Sequence, residues 1–128
     1  MNQKYKILLY GMLAVTLLDA LGSLASRQLN FDYSALGWVS FAIYGTTAFI
    51  ATRQYGLATG VLFAAILGFF DASVGWAIST LLNANTAELA IEITPLTWFA
   101  LALFNTGLAA FIGLVSGLLA VVIKGKAN

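Results

Sequence analysis

The chain has 128 residues, of which 61% are hydrophobic and 9% charged, with a formal net charge of +1. Soluble domains carry roughly a quarter charged residues and, at this length, keep about a third of the unfolded chain's surface exposed, so this composition requires lipid around it. With no Cys and no His, disulfides, thiol and imidazole catalysis and the usual zinc and haem ligand sets are excluded. The near-neutral charge offers no footprint for nucleic acid, and neither a cofactor nor an enzymatic activity is expected.

Four apolar runs, 7–25, 35–51, 57–82 and 96–123, approach the roughly 20 residues needed to cross about 30 Å of hydrocarbon. The expected fold is an all-α integral membrane protein, a bundle of four transmembrane helices forming one domain over 1–128. Lys4 and Lys6 precede the first run, Arg53 lies between the second and third, and Lys124 and Lys126 follow the fourth. Positive residues stay on the cytoplasmic side, which places both termini there and suggests the plasma (inner) membrane. The first run, ending in Ser23, Leu24 and Ala25, also has the outline of a secretory signal peptide. The internal repeat described next uses it as a helix, and it is read as one.

The second and fourth runs align without a gap at an offset of 60: Leu36, Trp38, Ala42 and Thr46 match Leu96, Trp98, Ala102 and Thr106, and Tyr44 faces Phe104. Ser34 and Thr94 both stand where an N-cap oxygen is wanted, with Pro95 at the first helical position. The first and third runs align more weakly at an offset of 52, Leu17, Leu18, Asp19 and Ala20 against Phe69, Phe70, Asp71 and Ala72. Two tandem hairpins related by a pseudo-two-fold axis along the membrane normal are therefore expected.

Asp19 and Asp71 are the two acids well inside the runs, and they occupy matching places in the two halves. An ionised Asp at a helix centre costs about 2.5 to 3.5 kcal/mol on insertion scales, so it must find a partner, face water or take up a proton. No Lys or Arg stands at the same depth. At least one proton-bearing carboxyl is expected, able to donate to Asn105, Thr46, Thr47 or Thr106 and to exchange its proton for a cation. An alternative for Asp19 is an ion pair with Arg27, and for both acids a purely structural role at helix contacts.

Ala64, Gly68 and Ala72, with Gly75 close to their face, and Ala109, Gly113 and Gly117 form small-residue stripes that let helices approach closely. They serve either packing within the bundle or a homodimer. The connection over 83–95 is the one sizeable loop; Leu89, Ile91 and Ile93 alternate there with Glu88, Glu92 and Thr94, the period of a strand, although Glu88 and Glu92 would also share a helix face. Two functions compete. One is translocation of protons, cations or a small solute through Asp19 and Asp71, with Asn105, Thr46 and Thr106 completing a polar site. The other is an accessory subunit of a larger membrane complex. The expected partners are the lipid bilayer and either further copies of the chain or that complex.

Overall fold

The computed structural model describes residues 1–86 and 93–126, and those residues are predominantly helical with no strand among them. Helix α1 (Gln3–Leu29) begins where the Asn2 side chain accepts the Lys4 N–H at 3.1 Å. It stops at Asn30, whose left-handed conformation (φ 55°) turns its N–H back to the Ser26 carbonyl, as Asn at a helix C-terminus often does. A 3-10 turn (Tyr33–Leu36) then leads into α2 (Gly37–Tyr55). Its cap is Asp32, which accepts the Ser34 N–H at 2.9 Å, so Ser34 lies inside the turn and is not the expected cap.

One residue joins α2 to the next helix. Gly56 has φ +93° and ψ 162°, a conformation L side chains rarely adopt, so glycine makes this reversal possible. Helix α3 (Leu57–Phe70), a π turn (Asp71–Gly75) and α4 (Trp76–Leu81) follow in direct succession where a single unbroken helix was expected. The π turn begins at the acid itself. Helix α5 (Pro95–Lys126) starts as the sequence predicts, with Thr94 Oγ1 accepting the Thr97 N–H at 3.2 Å, Thr97 Oγ1 accepting the Thr94 N–H at 2.7 Å, and Pro95 first in the helix. The acidic loop segment with Glu88, Leu89, Ile91 and Glu92 lies outside the described residues.

Four helical segments are long and apolar enough to cross a membrane: Gln3–Leu29, Tyr33–Tyr55, Leu57–Leu81 and Pro95–Lys126. The connectivity puts the C-termini of α1 and α4 and the N-termini of α2 and α5 at one end, here termed the upper end. Helix α5 packs along α3 and α2, while α1 leans on α2, the π turn and α4. Among the described residues α1 and α5 do not approach one another. The core lies on the lower side, built from Val15, Tyr44, Ala48, Ala64, Leu67 and Ala109. Outside it α1 exposes Leu9, Leu13, Leu17 and Leu21, four residues apart on one face.

Residues matched by the offset of 60 stand in different surroundings. Trp38 is 78% exposed whereas Trp98 packs inward, and Tyr44 is fully buried whereas Phe104 is 69% exposed. Ala42 faces outward and Ala102 inward.

The two small-residue stripes face each other. A Cβ on Gly113 would stand 2.5 Å from the Ala64 Cβ, and one on Gly68 would overlap the Ala109 Cβ and stand 2.9 Å from the Asn105 carbonyl oxygen. On Gly117 it would meet Leu57 Cδ1 at 2.6 Å and Thr52 Oγ1 at 2.9 Å. Such backbone proximity is how helices gain dispersion contact when no hydrophobic driving force separates helix from lipid. Gly68→Ala should therefore lower stability by about 1 to 3 kcal/mol through overpacking. Gly107→Ala, at a position with nothing within 4 Å of the added carbon, should be neutral or stabilising by up to about 1 kcal/mol. Thermal melts of the two variants in one detergent check the contrast.

Candidate functional site

Asp19 of α1 and Asp71 at the head of the π turn come together beside Gly75. A Cβ built on Gly75 would overlap Asp19 Oδ2 and stand 2.6 Å from Asp71 Oδ1, so both carboxyl oxygens occupy the space that any other residue would fill. The two side chains are within hydrogen-bonding reach of each other. Measured from Leu29, Leu81 and Pro95, the upper helix ends, Asp19, Asp71 and Asn105 each lie about 15 Å deep at 1.5 Å per residue.

The remaining carboxyl oxygens go to tyrosines. Tyr33, in the 3-10 turn, donates to Asp19 Oδ1, and Tyr44, from α2, donates to Asp71 Oδ2. Ser40, one turn above Tyr44, also faces Asp71. Asn105 ties α5 to this cluster, its Nδ2 donating to the Gly68 carbonyl at 2.7 Å and to the Tyr44 hydroxyl at 3.4 Å. Asp19 is 2% exposed, and its Oδ2 has no hydrogen-bond donor among the described residues. The alternative pairing of Asp19 with Arg27 does not occur: Arg27 Nη1 is directed to the Leu82 carbonyl at 3.4 Å.

The π turn shapes the other wall. Because the Trp76 N–H reaches the Asp71 and Ser73 carbonyls, it passes over that of Ala72. Ala72 O instead accepts the Trp98 indole N–H at 3.2 Å, and the Trp98 ring stands edge-on to Phe69 with centroids 6.4 Å apart. A π turn inside a helix commonly marks a functional site. Two cavities meet at the acids. One, about 330 Å³, opens between α4 and α5 and is walled by Trp76, Trp98, Leu101 and Phe104; the other, about 210 Å³, lies against the 3-10 turn and α2. Asp19, Tyr33, Asp71 and Asn105 line both, and no Lys or Arg lines either.

Of the residues singled out from sequence, Asp19, Asp71, Asn105 and Gly75 are brought together, with Ala72 beside them. Thr46 is exposed and faces a separate groove between α1 and α2, and Thr106 turns its hydroxyl to the Ala102 carbonyl of its own helix at 2.7 Å. Neither lines the acid cavities. Gly68, Gly113 and Gly117 belong to the helix contacts described above. The sequence reading missed Tyr33, Tyr44, Ser40, Trp76 and Trp98. A signal existed for Tyr44, which lies about 10 Å into its helix, away from the interface that tyrosine prefers, and so needs a polar partner. Comparison with protein-family models, with curated proteins and with solved structures finds no match.

Trp98→Phe, which keeps the ring and removes the N–H, should lower stability by about 1 kcal/mol because Ala72 O loses its donor. Trp38→Phe at an outward-facing ring should leave stability unchanged. Melting temperatures in detergent, compared with the parent, provide the check.

Proposed function

We propose that the chain is a membrane protein that translocates protons or cations, with Asp19 and Asp71 as a single exchange site. The observation that carries this reading is the meeting of the two carboxyls at Gly75, with Asp19 Oδ2 buried and without a donor. Two carboxylates in contact, remote from basic side chains, cannot both keep a charge in so apolar a place. One proton held between Asp19 Oδ2 and Asp71 Oδ1 gives both oxygens a partner and leaves the site with one negative charge. A cation can take that proton's place. Tyr33, Tyr44 and Asn105 orient the carboxyls and carry no charge themselves. The apolar outward faces support insertion in a bilayer, and the lysines and Arg53 support cytoplasmic termini in an inner membrane. In this reading the tandem relation of the two hairpins rests on the placement of the acids.

One observation favours a second reading. Below the acids the bundle is closed by Val15, Tyr44, Ala48 and Leu67, so a single chain in this conformation offers no route to the lower end. An accessory subunit of a larger membrane complex, its acids holding helices together, would need none.

The purified chain reconstituted in liposomes with a pH gradient separates the two. Proton or cation flux in the parent, abolished in Asp19→Asn and Asp71→Asn and retained in Thr46→Ala, is the expected result, with all four proteins showing the same oligomeric state by native mass spectrometry. A parent without flux, recovered from its source membrane in fixed ratio with a larger protein, would establish the subunit instead.

A further inference from the structure

The larger cavity at the acids is lined mainly by carbon. Trp76 of α4 and Trp98, Leu101 and Phe104 of α5 form its walls, and its 330 Å³ falls within the range of sites for small organic molecules. Three features restrict what it can hold. The first is charge: among the described residues the cavity has two acids and no base, and Asp19 Oδ2, buried and without a donor there, faces a partner that must supply a positive charge or a proton.

The second is the kind of cation. A divalent metal ion asks for six or more oxygens around it, and no cluster of three or more metal-ligating side chains occurs among the described residues. Indole and phenyl faces offer nothing to a hydrated inorganic ion, but they attract an organic ammonium within about 6 Å through the ring quadrupole. The third is access. The cavity opens between α4 and α5, which do not approach each other among the described residues, and Asp19 of α1 lies on its wall. Its mouth therefore lies between helices with exposed apolar residues, as Trp76, Leu81, Leu101 and Phe104 show.

We propose that this cleft binds a hydrophobic organic ammonium ion, about the size of a benzylammonium, which enters from the bilayer between α4 and α5 and displaces the proton held by Asp19 and Asp71. The assignment rests on the exchange reading of the acid pair. No covalent bond to carbon forms or breaks: the shared proton leaves to water, both carboxyls are then ionised, and the ammonium supplies the compensating charge. Before and after, the site carries a net charge of minus one. The exchange thus avoids the main electrostatic cost of placing a new charge in a low-dielectric interior. Trp76 and Trp98 supply the aromatic faces, and Phe104 stands at the rim.

The full chain in zwitterionic-lipid nanodiscs, carrying Trp38→Phe so that both remaining indoles line the cleft, allows a direct test. Benzyltrimethylammonium is titrated against its uncharged carbon isostere, neopentylbenzene, while indole fluorescence and the release of protons into weakly buffered medium are followed. Saturable quenching by the ammonium alone, with about one proton released per molecule bound, is expected. Asp71→Asn should remove the proton release, and Trp76→Leu should weaken binding about fivefold while keeping the release. Because Asp71→Asn alters a buried cluster, Trp76→Leu, at a partly exposed wall residue, keeps the test valid if the first variant misfolds. Equal quenching by neopentylbenzene, or ammonium binding that releases no proton, overturns the proposal. Proton flux in liposomes without ammonium binding overturns the ligand and leaves the proton carrier. Ammonium binding with proton release but no flux leaves the ligand site and overturns translocation.

Discussion

Everything at the upper end of this bundle follows from the cost of keeping two carboxyl groups about 15 Å inside an apolar body without a basic side chain to meet them. With no cationic side chain lining their cavities among the described residues, the groups are satisfied by hydroxyls and by each other. The chain supplies one hydroxyl for each acid, Tyr33 to Asp19 and Tyr44 to Asp71, from two different helical segments. Gly75 supplies the room for the remaining oxygens to converge. A side chain at that position would separate the acids, and α1 would lose its polar seat on the rest of the molecule.

The lower half obeys a different constraint. There helices have only shape to distinguish a neighbouring helix from lipid, and Gly68, Ala64 and Gly113 let α3 and α5 come close enough for dispersion to decide. Between the two regimes stands the π turn. By passing over the Ala72 carbonyl it leaves an acceptor inside the bundle, and Trp98 satisfies it from α5. Asn105, whose amide reaches the Gly68 carbonyl and the Tyr44 hydroxyl, joins the close-packed half to the acid cluster at the same level. The irregular backbone is thus held by two side chains of one neighbouring helix.

The number, order and apolar character of the helices were legible because each segment is long and apolar enough on its own, and the cap at Thr94 with Pro95 was legible because capping is local chemistry. The acids stood out for the same reason: a charge among apolar residues has few explanations. What could not be read were features made by contacts between distant segments. Nothing in the run around Phe69 to Gly75 forecasts a π turn, since the freed carbonyl becomes tolerable only when Trp98 arrives from α5. Thr46 and Thr106 were attractive as polar groups at matching places, yet helical phase turns the first outward and lets the second bond its own backbone. The alignment of α2 with α5 pairs residue types, and residue type does not specify which face of a helix meets its neighbours.

The unequal anchoring of α1 gives the proposed exchange a mechanical meaning. Helix α5 is embedded against α2 and α3, whereas α1, which does not approach α5 among the described residues, reaches the bundle through Gly11 against Leu67 and Thr47 and Val15 in the core below, and through Asp19 and Gly22, the latter against Leu36 and Tyr33, above. Its other upper ties, Arg27 to the Leu82 carbonyl at 3.4 Å and Ser26 Oγ to the Asn85 N–H at 3.1 Å, reach the short connection after α4. On the proposed reading, replacing a shared proton by a bulkier cation changes the separation of Asp19 and Asp71, and the element free to accommodate that change is α1. A ligand shifts a conformational equilibrium only by its differential affinity for the two states. The acid pair is the place where such a difference would be felt, because the contact that binds the cation is the same contact that seats the helix.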